Sequence, residues 1–189
     1  MIFLSASIPF KERDQKYIDT ADVVAIRDAV KALATVVIPK SHLIWGGHPA
    51  ITPLIRHAIR GMKQDIKNHV TLYQSNYFVD MFPEDNNYFE NLVIVPKATN
   101  RDDSLKNMRL SMMKNNFRVG IFIGGMEGVE EEYELFRNHH PNALILPIAS
   151  TGAAARIIYN TNKFKNERLE SDYAYMALFR YLLKDYIEF

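Results

Sequence analysis

Three residue types able to handle a phosphorylated sugar converge in one stretch of the chain. Arg109 lies in SLKNMRLSMMKNNF, and GGMEGVEEE (124–132) follows the apolar run RVGIFI. A guanidinium can clasp a phosphate bidentately. A glycine turn lets backbone approach a ligand closely. Carboxylates suit sugar hydroxyls or a ribosyl cation, and they oppose a phosphate at the same helix start. Gly124, Gly125, Met126, Glu127, Gly128 and Glu131 are therefore candidate ligand contacts. Arg109 and Glu132 are the candidate catalytic pair if the site reacts. The plain alternative is a tight turn into a helix whose acids complement the helix dipole. Arg109, spaced with Leu105, Met108 and Met112, either snorkels to solvent or faces a ligand.

Two further loops have the form of an anion site. In WGGHPAITPLIR, Gly46 and Gly47 end an apolar run, and Thr52 is placed to cap a helix opened by Pro53. A backbone nest for phosphate competes here with a plain turn. His48 can hydrogen-bond a ligand or be an ordinary loop residue, and Trp45 reads as core. In ASTGAAARIIY, Ser150, Thr151 and Gly152 offer hydroxyls and N–H groups at a helix start, or serve as a cap alone. Ser5 in SASIP and Gln74 in QSNYF complete the candidate ligand contacts.

The elements that must position these loops alternate regularly. Apolar runs at 2–7, 42–47, 69–75, 91–96, 118–125 and 143–149 read as strands. Several lack polar alternation, as in strands covered on both faces of a parallel sheet. Helix-period stretches fall at 20–34, 53–63, 102–116, 128–138, 151–160 and 171–186, with Thr20 as N-cap of the first. The polar segment 160–172 reads as a surface connection, and His139-His140 before Pro141 as a helix end. This order predicts an α/β fold of Rossmann-like, three-layer form, with a mostly parallel sheet flanked by helices. Such sheets bind ligands beyond the carboxyl ends of their strands, where the candidate loops lie.

Composition narrows the classes. The 189 residues fit one domain, 1–189, with a real core, and 48% hydrophobic with 24% charged residues is ordinary for a globular chain. A net charge of +1, with no aromatics interleaved along a basic stripe, predicts no nucleic-acid partner. The absence of cysteine removes disulfides and thiolate metal sites and fits a cytoplasmic protein. The histidines at 42, 48, 57, 69, 139 and 140 have no metal-ligand spacing, so no metal and no cofactor are expected. There is no signal-peptide pattern and no apolar run long enough to span a membrane. The glycine turn is neither a Walker loop nor a dinucleotide fingerprint.

The run NMRLSMMKNNFRVGIFIGGMEGVEEEYELF (107–136) resembles the signature of the Lonely Guy (LOG) family, an arginine helix and an apolar strand leading to a PGGxGTxxE turn. IFLSASIP, WGGHPAITP, TLYQS, GIFIGGMEGVEEEY and LPIASTGAAA together resemble the wider SLOG superfamily, in particular its cluster 3, across nearly the whole chain. The resemblance aligns Arg109 with the family's catalytic arginine, Gly124 and Gly125 with its paired glycines, Gly128 with the third glycine and Glu132 with the glutamate. Ile123 stands for the proline, Val129 for the threonine, and the turn is one residue longer. SLOG domains resemble sensors of nucleotide-derived messengers, notably cyclic ADP-ribose isomers, beside Sir2 and TIR proteins in prokaryotic, Thoeris-like antiviral defence. The resemblance thus implies a nucleotide-derived ligand, a TIR enzyme or effector as partner, and a homo-oligomer. The alternative it implies is a LOG-like nucleotide N-glycosidase or phosphoribohydrolase, against which the three departures weigh.

Overall fold

The computed structural model describes residues 1–10, 12, 14–62 and 68–188. Six strands form its sheet: β1 Ile2–Ser7, β2 Leu43–Gly46, β3 Val70–Ser75, β4 Leu92–Val95, β5 Val119–Gly124 and β6 Leu144–Ile148. They lie in the order β4-β3-β2-β1-β5-β6, and every pairing is parallel. The helices are α1 Gln15–Ile18, α2 Val23–Val37, α3 Thr52–Ile59, α4 Arg101–Met112, α5 Glu127–His139, α6 Ala153–Thr161, α7 Arg168–Ser171 and α8 Tyr175–Leu182. The predicted three-layer α/β architecture is the one observed.

Alternation along each strand builds two cores. Ile2 and Leu4 of β1, with Val119, Ile121 and Ile123 of β5, face α2, α3 and α8. Phe3 and Phe122 point the other way, against Phe136 of α5. The amphipathic helix α2 packs Ile26, Val30, Leu33 and Val37 at full burial, each worth about 1.5–3 kcal/mol against exposure. Burial on both faces is the reason these strands carry no polar alternation.

Chain order runs outward from β1 to β4 and then returns to β5 on the other side of β1. The sheet therefore reverses between β1 and β5, whose six paired positions end at Ser7↔Gly124. Loops leaving two such strands diverge to opposite faces and open a crevice.

Four local expectations are corrected. Thr20 does not cap α2: the helix starts at Val23 and Asp22 caps it, accepting from the Ala25 N–H at 2.9 Å. The Thr20 hydroxyl instead accepts from the Ala153 N–H at 2.9 Å. Thr52 does not cap α3 either. It is already inside the helix, with Ile51 at the cap, and its buried hydroxyl accepts from Trp45 Nε1 at 3.4 Å. The single helix expected at 171–186 is interrupted at 172–174, where Asp172 is extended and its carboxylate holds the Ala174 N–H at 2.9 Å. Part of the supposed connection at 160–172 is helical, as the end of α6 and as α7. Residue 63, the last of the helix expected at 53–63, lies outside the described residues.

Candidate functional site

The glycine turn is shaped from within. Gly124 and Gly125 have φ of +56° and +94°, where a side chain is strained, and a Cβ on Gly124 would lie 2.4 Å from Ile26 Cδ1. Their N–H groups are used internally. Gly125 donates to Ser7 O at 2.8 Å, and Gly124 donates to Thr151 Oγ1 at 2.8 Å. The paired glycines thus do not offer those donors to a ligand. They throw the chain from β5 into α5. That helix begins at extended Met126 with no side-chain cap, and its first internally bonded amide is Val129 N–H, on Met126 O at 2.9 Å. The N–H groups of Glu127 and Gly128 precede it, at the positions a helix leaves without an intrahelical acceptor.

Across from this helix start stands α4. Arg109 reaches from it to α5, where Nε donates to Glu132 Oε1 at 3.3 Å and Nη1 donates to Glu131 Oε2. Its side chain is 12% exposed and that of Glu132 is 14% exposed, so the pair is largely withdrawn from water. Gly128 makes room for it: a Cβ there would lie 2.8 Å from Arg109 Nη2. Burial pushes the Glu132 carboxyl above the usual range, and the Glu131 charge adds to that; Arg109 and the neighbouring Ser5 hydroxyl oppose it. Ser5 Oγ is fully buried and has no hydrogen bond at standard distance, so it helps only as a nearby dipole.

A cleft of about 970 Å³ opens over this pair. Its walls are the ends of β1 and β2 (Ala6, Ser7, Gly46, Gly47), the loop residues Phe10 and His48, and one face each of α4 and α5. It sits at the sheet reversal, as the topology requires. The volume is at the upper end for small-molecule and cofactor sites. Acids outnumber bases around it: Asp102, Asp103, Glu127, Glu130, Glu131, Glu132 and Glu134 against Arg101, Lys106 and Arg109. Glu130 is further tied to the α1 side of the cleft, accepting from Tyr17 Oη and from Lys16 Nζ, the latter at 3.4 Å. Burial and that carboxylate push the Tyr17 phenol up to about 12. The surroundings suit hydroxyls and partial positive charge, with Arg109 as the place for an anion. Among the described residues, no three His, Asp or Glu side chains form a metal cluster.

Of the candidate residues, Gly46, Gly47, His48, Arg109, Met126, Glu127, Gly128, Glu131 and Glu132 line this cleft. The others do not. Gln74 is buried behind Gly47, where its Nε2 would be 2.0 Å from an added Cβ. Thr52, Ser150 and Thr151 are buried with their hydroxyls engaged inside the fold; Ser150 pairs with Tyr175 Oη at 3.1 Å. Gly152, at φ +71°, is wedged against the Thr20 carbonyl. The supposed nest at 46–53 is also spent internally: Gly47 donates to Tyr73 O, Ala50 to His48 Nδ1, and Ile51 and Thr52 to His48 O.

Sequence reasoning missed Phe10, Leu105, Lys106, Glu130, Glu134, Leu135 and Asn138 as cleft residues. A signal existed for part of them. Glu127, Glu131, Leu135 and Asn138 share one helical face by spacing, as do Arg101, Leu105 and Arg109. Phe10 follows the predicted loop 5–9 by one residue and carries no such signal.

The family model described as the SLOG cluster3 family matches residues 16–183. No curated protein and no solved structure gives a significant match. Membership supports a nucleotide-related ligand-binding role or a LOG-like one, in keeping with an arginine, a glutamate and a glycine turn around one cleft. With its fold, its cleft and its motifs all consistent, the chain belongs to the SLOG cluster3 family.

Proposed function

We propose that the chain is a sensor that binds a nucleotide-derived messenger of the cyclic ADP-ribose type in the cleft, within prokaryotic antiphage defence. The observation that carries this reading is the double engagement of Arg109 by Glu131 and Glu132 across the cleft. A phosphate entering the cleft competes for a guanidinium that is already held. Binding then exchanges a protein ion pair for a ligand ion pair and releases a carboxylate toward ribose hydroxyls. The contact between α4 and α5 changes with occupancy, which is what a sensor needs. The resemblance supplies the messenger class, and the cleft's volume is at the upper end for small-molecule sites. On this reading the output passes through a homo-oligomer or a partner, a TIR enzyme or an effector.

One observation favours a second reading, a LOG-like nucleotide N-glycosidase. Glu132 is a buried carboxyl with a raised pKa at the cleft floor, placed to act near a ribosyl centre with Arg109 orienting phosphate. Incubation with AMP, NAD and cyclic ADP-ribose isomers, followed by chromatography, separates the two. The sensor reading expects tight binding of intact ligand. Free base or nicotinamide released at a catalytic rate overturns it in favour of the enzyme.

A further inference from the structure

The cleft also holds an aromatic pair that neither reading uses. Phe10, from the loop after β1, stacks on His48, from the loop after β2, with centroids 5.9 Å apart and planes 29° apart. Both rings line the cleft, and Phe10 is 49% exposed. A single exposed apolar residue is ordinary. This one is held by a second ring and turned along a concave wall. His48 is itself fixed, its Nδ1 accepting the Ala50 N–H at 3.2 Å. In the neutral ring that leaves Nε2 as the N–H donor. Burial pushes the imidazole down to about 4, so at neutral pH the ring is uncharged and attracts no phosphate.

The shelf and the charged pole are joined through Gly46. An added Cβ there would lie 4.0 Å from Glu132 Oε1 and 3.2 Å from Met108 Cε. His48 is two residues further along, and two Cα steps span at most about 7.6 Å. The ring pair, Met108 and the Glu132–Arg109 pair thus line one cleft, with Gly46 beside Met108 and Glu132.

We infer that the Phe10–His48 pair is the base subsite of this cleft, stacking a nucleobase while the Arg109 pole takes the phosphorylated ribose. The inference rests on the nucleotide reading above and adds to it which end of the ligand goes where. Aromatic stacking on a base is tolerant of base identity, and truncating such a ring costs about 1–3 kcal/mol, which is about 5- to 150-fold in affinity.

The test is calorimetry with AMP, ADP-ribose and ribose 5-phosphate on the parent chain, Phe10→Ala and Arg109→Ala. Phe10→Ala is expected to weaken AMP and ADP-ribose by about 5- to 150-fold and leave ribose 5-phosphate unchanged, whereas Arg109→Ala weakens all three. Equal AMP affinity in the parent and Phe10→Ala, or equal loss for AMP and ribose 5-phosphate, overturns the base subsite and leaves the nucleotide reading standing. Failure of the parent to bind any of the three overturns the subsite, and failure to bind cyclic ADP-ribose isomers as well overturns the nucleotide reading with it. Phe10→Trp adds an optical readout, since AMP should quench its fluorescence and ribose 5-phosphate should not.

Discussion

Arg109 of α4 donates through Nε to Glu132 of α5 at 3.3 Å, joining two helices on either side of the cleft with a largely buried ion pair. The same guanidinium also holds Glu131. Removing one partner of such a pair therefore affects both the unliganded geometry and any phosphate that comes to it.

Arg109→Ala is expected to lower affinity for a phosphorylated nucleotide by about 1.5–3 kcal/mol, the worth of a charged hydrogen bond. Calorimetry on a variant with an unchanged circular dichroism spectrum checks this. Undiminished binding would remove Arg109 from the site.

Gly128→Ala should separate stability from binding. Alanine in a helix is favoured over glycine by about 1 kcal/mol, which offsets part of the cost of disturbing the Arg109–Glu132 pair, so thermal stability changes little. The new methyl lies against Arg109 Nη2 and displaces the guanidinium, so nucleotide affinity falls. Loss of stability with intact affinity would contradict the arrangement.

Glu132 and His48 make stability depend on pH with opposite signs. The carboxyl of Glu132 is raised in the fold, so the native state holds a proton that the unfolded state has lost. Its contribution is greatest at low pH and is lost as pH rises from the unfolded carboxyl range through the raised native value. Glu132→Gln leaves Arg109 its bond to Glu131 and should flatten that decline in thermal melts taken from the ordinary carboxyl range upward. A steeper decline in the variant would refute the raised carboxyl.

For His48, the native value is lowered to about 4, so the unfolded state binds the extra proton. Stability is complete above the unfolded value of about 6.5 and falls as pH drops from there toward 4, by on the order of 2–3 kcal/mol. His48→Asn, which keeps an acceptor for the Ala50 N–H, should lose that acid sensitivity. Urea unfolding at pH 7 and pH 4.5 measures it, and an unchanged difference between the two would place His48 in water.

Gly152→Ala tests the turn that follows β6. Its φ of +71° costs a side chain about 1–3 kcal/mol, and the added Cβ would lie 1.7 Å from the Thr20 carbonyl oxygen. The variant should unfold at much lower urea than the parent. Gly61→Ala, where an added Cβ meets nothing within 4 Å, is the neutral control.

The parallel sheet, the strand–helix order and the arginine–glycine–glutamate string were legible in the sequence because each rests on local spacing. An unbroken apolar run such as VGIFI has to be covered on both sides, and GGMEG has to turn. Only the tertiary structure decided which of the small-residue loops face the cleft. Ser150 and Thr151 look like site residues by type, yet the Gly124 N–H needs the Thr151 hydroxyl, and Tyr175 takes Ser150. Thr52 looks like a cap, yet Trp45 holds it inside the core. Phe10 looks like nothing in particular until the parallel pairing of β1 and β2 brings it onto His48, thirty-eight positions away. A hydroxyl's or a ring's role is set by the partner that reaches it first, and across a parallel sheet that partner is seldom near in sequence.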